Sequence, residues 1–264
     1  VPTLARTYIN TTVDTLDQRR GDLSLLDLNQ GPGTTRDWAR LIGTNGKLSP
    51  DDINNGPKLN FNSVALQFGT DLYRNQGSDG SRTYFGPYAT IGNSNTSTFN
   101  TAGTLQTGSA KLDAYTLGLN ATHFIGNGVY FDGLLQGTRF ANVTASSTQN
   151  ADIKTNGWGF AGSLETGIQI PLSQKVSLTP QAQVVFSSNS LSNTTDAYGQ
   201  INFQQDNATR ARLGLMLSGK ETEGDKLGSF WLRTSIWESF NSSTTTSFQS
   251  LYGVNAVAFN SVIG

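Results

Sequence analysis

Two carboxylates, Asp132 in "YFDGLL" and Glu165 in "GSLETG", are the side chains in this sequence best suited to chemistry. A carboxylate can orient an amide or activate a water molecule next to a reacting bond. It can also form an ion pair, which a charge in a narrow, poorly hydrated cavity requires. Arg40, Arg210 and Arg212 are candidate partners. Structural ion-pair networks gather acids and bases as active sites do, and ion pairing is the interpretation we favour.

The remaining composition limits the catalytic chemistry further. The chain has no cysteine and one histidine, which excludes a cysteine metal cluster and a zinc site built on several histidines. His123 alternates in step with Leu117 and Leu119, so we expect it to point outward and not into a Ser–His active site. No G-x-S-x-G motif is present. We therefore predict no cofactor, no metal site and no conventional enzyme.

These residues must be positioned by strands, because apolar and polar side chains alternate. In "GWGFAGSLETGIQI" (157–170), every second position is large and apolar, and the positions between carry small or polar residues. The same alternation recurs in "LNFNSVALQFGTDLY", "KLDAYTLGLNATHF", "VSLTPQAQVVF" and "RARLGLMLSG". Each segment has about 10 residues, which is the length of a tilted strand that spans a membrane.

The polar side of this alternation does not resemble the solvent-exposed face of a soluble sheet. It is rich in Gly, Ser, Thr, Asn and Gln and poor in lysine, whereas such faces usually carry more charge. Only 14% of residues are charged and 36% are hydrophobic, with 29 glycines. We therefore expect the apolar side to face lipid and the polar side to face an enclosed lumen. The net charge of −1 indicates no nucleic-acid partner.

The positions of the aromatic residues and the lengths of the connections also indicate how the strands would lie in a membrane. The rings near predicted strand ends suggest an interfacial aromatic girdle, formed by Tyr73, Tyr84, Phe85, Phe124, Tyr130, Phe131, Phe140, Trp158, Phe186, Trp231, Trp237 and Phe240. Short connections are predicted at 75–81, 126–128, 173–175 and 220–228, and long ones at 45–58, 93–110, 142–154, 188–206 and from 241 onward. Periplasmic turns of outer-membrane barrels are short, so the long set should be extracellular.

The N-terminal segment follows a different, helical pattern. Apolar residues recur near helical spacing between residues 2 and 20, Pro2 suits a first turn, and Gly21 suits a helix end. A helix of this length extends about 28 Å at 1.5 Å per residue, close to the thickness of the hydrocarbon layer. It is too polar for lipid, so we expect it inside the lumen. The alternative is a helix packed outside, on the periplasmic side.

Several stretches together resemble the translocator β-domain of autotransporters (type V secretion), close to its pertactin/AIDA-like branch. They are "RDWARLIG", "LQFGTDLY", "KLDAYTLGLNATHF", "YFDGLLQGTRF", "GWGFAGSLETG", "LTPQAQVVF", "DAYGQINF" and "RARLGLMLSG". The resemblance implies an all-β fold: a 12-stranded antiparallel transmembrane barrel with an α-helix in its lumen. Residues 1–22 would be the lumenal helix and linker, and 36–264 the barrel. About nine strands are recognisable, so we expect the last three or so to be missing.

The resemblance also implies a function. The domain would lie in the bacterial outer membrane, anchor an N-terminal passenger and export it to the cell surface. Its expected partners are the passenger, the barrel assembly machinery, periplasmic chaperones, and lipid or lipopolysaccharide. The groups expected to line the seal between helix and barrel are Arg40, Asp71, Asp132, Glu165, Arg210 and Arg212.

Some autotransporters cleave their own passenger by attack of an asparagine side chain on its backbone, assisted by lumenal acids. By resemblance, Asp132, Glu165 and Asn10 are candidates for that reaction, although the acids are better explained as anchors of the helix. Two other functions remain open from the sequence. One is an outer-membrane porin or channel with an N-terminal plug, and the other is a soluble adhesive β-domain.

Overall fold

An antiparallel sheet curled around a short helical segment forms most of the molecule. The computed structural model describes residues 1–20, 36–48, 57–149, 151–223, 226–240, 243–251 and 257–262. The helices are α1 (Pro2–Thr12) and α2 (Leu16–Arg20). The strands are β1 (Arg36–Leu48), β2 (Lys58–Asp71), β3 (Tyr73–Gln76), β4 (Arg82–Phe99), β5 (Gln106–Phe124), β6 (Val129–Ser147), β7 (Ile153–Ile168), β8 (Ile170–Pro171), β9 (Val176–Leu191), β10 (Thr194–Thr195), β11 (Gly199–Phe203), β12 (Asp206–Glu223), β13 (Lys226–Phe240), β14 (Ser243–Ser250) and β15 (Val257–Val262).

Each main strand pairs with its neighbours in the chain, as in an up-and-down barrel. The order is β1-β2-β4-β5-β6-β7-β9-β12-β13, with β3 paired to β4 and β8 paired to β9. These nine principal strands match the number recognised in the sequence. The order β10-β11-β14-β15 forms a second, four-stranded sheet. Helix α1 contacts strands as far apart in the order as β1 and β9, so the sheet curls around it.

Several connections predicted to be long are in fact strand. The predicted loop at 93–110 contains only a short turn, because β4 runs to Phe99 and β5 begins at Gln106. Residues 142–154 are likewise mostly strand. Principal strands reach 19 residues, longer than the roughly 10 that a membrane requires. Their Ser-, Thr- and Asn-rich halves continue the ladder beyond the hydrocarbon layer. Part of the predicted connection at 45–58, residues 49–56, lies outside the described residues.

The two faces of the sheet divide as the alternation predicts. Leu117, Leu164 and Leu213 are 73%, 69% and 70% exposed on the outer face. On the inner face, Gln67 and Glu165 are 0% and 3% exposed. The prediction that the apolar side faces outward is confirmed, and His123 is also exposed on that side.

The aromatic girdle needs a correction, because several of its proposed members face inward, and three of these are almost fully buried. Tyr84, Tyr130 and Phe140 are 0%, 4% and 0% exposed. The Tyr130 hydroxyl donates to Glu165 at 2.7 Å, and the Phe140 ring meets the edge of Tyr8 at 6.4 Å between centroids. Position in the alternation determines which face a ring occupies, and these three share the parity of lumenal residues.

The predicted single helix over 2–20 is divided in two. Helix α1 ends at Thr12, and Val13 follows with φ −88° and ψ 83°, outside the helical region. Thr15 then caps α2: the Gln18 amide donates to the Thr15 hydroxyl at 3.4 Å, and the Thr15 amide donates to the Gln18 side chain at 3.4 Å. This reciprocal Thr-x-x-Gln arrangement is a capping box, which favours a new helix start over continuation. Within the described residues, no helix is long and apolar enough to cross a membrane.

Candidate functional site

The helical segment fills the concave side of the sheet, and its first half packs in an apolar cluster. Leu4, Ala5, Tyr8 and Ile9 are at most 2% exposed. The cluster is completed from the wall, chiefly by Ile42, Ala65, Leu112, Ala114, Leu134, Phe140, Val143, Val185 and Leu191. The sequence predicted a polar lumen throughout, and this apolar zone was missed. Its signal was present, because Leu112, Phe140 and Val185 break the polar parity with large apolar groups.

The second half of the segment is surrounded by charged side chains. Asp132 accepts hydrogen bonds from Arg19, near the C-terminal end of α2. The Arg19 guanidinium donates to both carboxylate oxygens of Asp132, at 2.6 and 2.7 Å. The Thr122 hydroxyl adds a third donor at 2.6 Å. Arg19 and Asp132 are 3% and 4% exposed. Both contacts come from one guanidinium nitrogen, and this short charge-assisted pair anchors the end of α2 to β6.

Glu165 holds the start of the same short helix. Its carboxylate accepts from the Tyr130 hydroxyl at 2.7 Å and from the Leu16 backbone amide at 3.2 Å. The Arg212 guanidinium lies 3.3 Å from its second oxygen. A carboxylate at a helix N-terminus satisfies an otherwise unpaired amide and complements the helix dipole.

Arg212 and its neighbours extend this network over β9 and β13. The Arg212 guanidinium donates to the side chains of Gln183 and Gln181, both at 3.1 Å, and to the Ser235 hydroxyl at 3.3 Å. Gln181 in turn donates to Asp17 at 2.7 Å. These contacts join helix and wall through polar groups that would each be costly to leave unpaired.

Arg40 reaches the break between the two helices. Its guanidinium pairs with Asp14 at 2.7 Å and donates to Gln67 at 2.8 Å. The Gln67 side-chain amide in turn donates a hydrogen bond to the Thr90 hydroxyl at 2.9 Å. From β13, at the other edge of the sheet, Arg233 donates to the Thr15 hydroxyl at 2.6 Å. The linker between α1 and α2 is therefore held from two sides.

An additional ion pair, between Arg6 and Asp206, was not predicted. Arg6 donates to Asp206 through Nε at 2.8 Å and through a second nitrogen, and also to the Thr244 hydroxyl at 2.7 Å. Asn189 donates to the same carboxylate at 2.8 Å. Asp206 shares the parity of Arg210 and Arg212, which was the available signal.

The other candidate residues are placed differently. The Arg210 guanidinium stacks 4.5 Å from the centre of the Trp237 ring and lines a cavity of about 630 Å³ between the helical segment, β1 and β13. Asp71 is 1% exposed at the end of β2, opposite Arg36 in the ladder. Asn10 lies half-buried on α1 and, within the described part of the chain, makes no hydrogen bond to Asp132 or Glu165. Among the described residues, no group of three or more acids or histidines could hold a metal ion.

The direction of the helical segment follows from these contacts. Arg6 meets the first residue of β12 and the start of β14, at the end of the sheet where the predicted long connections lie. Leu16 and Arg19 meet residues three or four positions from the short-turn ends of β6 and β7. The N-terminus of the segment therefore points to the long-connection end.

A sheet with a lipid-compatible exterior, curled around a chain segment in a charged interior, defines an outer-membrane barrel of the translocator class. Residues 38–264 match the family model of the autotransporter β-domain. The chain belongs to this family. It is therefore an outer-membrane translocator domain for passenger export, and not a porin or a soluble adhesive domain.

Solved structures show the same fold at low sequence identity. The β-domain of the Bordetella autotransporter BrkA aligns with TM-score 0.64 and 18% identity, covering 82% of this chain and 85% of that one. The translocator domain of NalP from Neisseria meningitidis gives 0.61 and 15%, covering 98% and 82%. The transport unit of AIDA-I from Escherichia coli gives 0.54 and 15%, covering 97% and 96%.

Proposed function

We propose that residues 1–20 are the plug that closes the translocation pore of this domain, and that the lumenal charges hold it there. The observation that carries this proposal is the matching of charges along the plug with partners on the wall. Arg6, Asp14 and Arg19 each have an oppositely charged wall residue, and the Leu16 amide has Glu165. Arg40, Asp132, Glu165 and Arg212 act as anchors in this proposal. Asp71 and Arg210 line the wall beside them.

The passenger leaves through the long-connection end. The plug points its N-terminus toward that end, so chain that precedes Val1 would continue outward, on the extracellular side. Residues 1–22 are then the linker between passenger and barrel, and 36–264 the barrel itself. Folding of the passenger outside supplies the driving force, because the sequence has no P-loop for nucleotide binding.

Asp132 and Glu165 serve as anchors and not as catalysts of self-cleavage. Asp132 already accepts from Arg19 and Thr122, and Glu165 from Tyr130 and the Leu16 amide. Both carboxylates meet the plug at residues 16–19, which contain no asparagine. Asn10 lies six residues before Leu16, in α1 and on the other side of the break at Val13.

The apolar exterior supports the remaining proposed partners. Rows of exposed leucine and phenylalanine favour contact with lipid, and we propose that periplasmic chaperones shield these rows from water until the barrel assembly machinery inserts the chain into the membrane.

Single-channel conductance in planar bilayers tests the plug. Deleting residues 1–20 should give a large, steady current, and the intact domain a small one. Arg19→Asp places two carboxylates together and should produce frequent openings, whereas Arg19→Asp with Asp132→Arg should restore the closed state. A matched control is Asp113→Asn, an acid on the outer face, which should leave the current unchanged. If the deleted and intact domains conduct equally, the plug proposal fails.

A further inference from the structure

The outer face of β5, β6 and β7 carries a row of unpartnered cations above the apolar belt. Lys111 on β5 is opposite Thr144 on β6, and Thr144 is opposite Lys154 on β7. Both lysines are exposed and on the outward parity. Neither ammonium has a hydrogen bond or ion pair with any residue that the structure describes. Neighbouring strands are about 4.8 Å apart, so the backbones that carry the two lysines lie about 10 Å apart across the sheet.

A second row lies below the lysines, toward the membrane centre, and contains a fixed guanidinium. Tyr115, Arg139 and Trp158 are consecutive partners across the same three strands. Arg139 lies 5.1 Å from the centre of the Trp158 ring and donates to the Asn156 side chain at 3.0 Å. A tryptophan and a cation side by side on an outward face are typical of a membrane interface.

The third and fourth rows form an apolar trough. Leu117, Gly137 and Phe160 are opposed across the strands, followed by Leu119, Leu135 and Gly162. These residues border an outward-facing cavity of about 1020 Å³ that continues to Phe186 on β9. The trough is deeper at Gly137 because this residue has no side chain. A Cβ there would lie 3.5 Å from the Phe160 ring and would project into the trough.

The vertical order of these rows fits one kind of molecule. The lysines lie nearest the long-connection end, which is the extracellular side, and the trough lies within the hydrocarbon layer. A ligand here needs anionic groups about 10 Å apart at its head and several acyl chains below. Phosphatidylethanolamine has a single phosphate and two chains, so it satisfies only part of this site. Two acids lower the combined field of the cations: Asp113, which accepts a hydrogen bond from Asn142 at 2.8 Å and lies between the cation rows, and the exposed Asp152, which borders the same cavity as both lysines.

We infer that the outer strip of β5–β7 is a binding site for the bisphosphorylated, multiply acylated glycolipid of the outer leaflet. Lys111 and Lys154 bind its separate phosphates, Arg139 binds the interfacial end of the head group, and acyl chains lie in the trough beside Gly137. The site is distinct from the plug and lies on the opposite side of the wall. It depends on the outward orientation of this face and not on closure of the pore.

Lipid retention by the detergent-solubilised full-length protein tests the site. The probes are bisphosphorylated hexa-acyl lipid A, the same lipid A without phosphates, and phosphatidylethanolamine. Native mass spectrometry counts the bound lipid during titration. We expect one lipid A bound in preference to the other two probes. Each lysine or arginine near an anionic lipid contributes to the binding free energy, and the loss of one such residue should weaken lipid affinity about fivefold. The double variant Lys111→Gln/Lys154→Gln should therefore bind about 25-fold more weakly.

Control variants separate this site from general lipid adhesion. Lys175→Gln removes an exposed lysine at the opposite membrane rim and should leave lipid A affinity unchanged. Asp113→Asn should strengthen binding, and Gly137→Leu should weaken binding of acylated lipid by filling the trough. Heat-dependent gel mobility confirms that each variant is folded. Equal affinity of the wild type for phosphorylated and dephosphorylated lipid A, or unchanged affinity in the double lysine variant, would overturn the inference.

Discussion

The plug meets the barrel wall in two different ways along its length. The first half, around Tyr8 and Ile9, is packed against apolar wall residues and contains one buried ion pair, Arg6–Asp206. The second half, from Asp14 to Arg19, is held by several groups of charged and amide side chains. Apolar packing is non-directional and tolerates sliding, whereas charge-assisted hydrogen bonds fix a position. The apolar half therefore retains the plug, and the polar half sets its register.

The largest effect is expected at the ion pair inside the apolar half. Asp206→Ala leaves Arg6 buried without its carboxylate, which should cost about 3–5 kcal/mol of stability. The melting midpoint, followed by heat-dependent gel mobility, should fall accordingly. Replacing both partners, as Arg6→Met with Asp206→Leu, should recover part of the loss, because no charge is then left buried, while Asn189 and Thr244 still lose a hydrogen-bond partner. A double variant as unstable as the single one would contradict the division of the plug into two halves.

Removing apolar packing should have the next largest effect. Ile9 is 0% exposed, so Ile9→Ala leaves a cavity and should cost about 3 kcal/mol. The same melting measurement applies. Thr11→Ala, on the half-buried side of the same helix, is the matched control and should change stability by less than about 0.5 kcal/mol. Equal losses for the two variants would show that α1 is not packed as described.

A smaller effect is expected at the helix break in the polar half. Arg40→Gln removes the pair with Asp14, which retains some solvent exposure, so the cost should be about 1 kcal/mol. Because this contact sets the register, the variant should raise the frequency of channel openings more than its small loss of stability suggests. Bilayer recordings compare this variant with Ile9→Ala. For each kcal/mol of lost stability, Ile9→Ala should raise the frequency of openings less than Arg40→Gln does.

The smallest effect concerns salt. Raising the ionic strength from about 0.1 to about 1 M shortens the Debye length from about 10 to about 3 Å, which weakens partly exposed pairs far more than buried ones. Openings of the wild-type pore should rise slightly through the Arg40–Asp14 pair, and those of Arg40→Gln should not change further. A salt response in that variant as large as in the wild type would place the sensitive contact elsewhere.

The sequence predicted some elements well because their signals are local. Alternation over ten residues fixes which side of a strand faces lipid, as Leu117 and Gln67 show. It did not predict that the polar ends of β4 and β5 continue as paired strand, because Ser, Thr and Asn fit both loops and extended strands exposed to water. Nor did it predict the break at Val13, where a capping box from Thr15 to Gln18 competes with helix continuation.

The lumenal site was predictable only in part. Asp132, Glu165, Arg40 and Arg212 were recognised as inward-facing charges from their parity. Their pairing was predicted only in part. Arg212, one of the candidate partners, lies 3.3 Å from Glu165, but the partner of Asp132 is Arg19, which is 113 residues away in the chain, and no local pattern encodes such a distance.

The sequence by itself determined the alternation, the membrane-facing surface and the family, because each of these follows from residue types that recur at short, regular spacing. Only the tertiary structure decided which charges meet, where the lumen turns apolar and which way the plug points. Those properties depend on how the sheet curls and on which strand ends come together. That curvature is a collective result of many paired strands and not of any one segment.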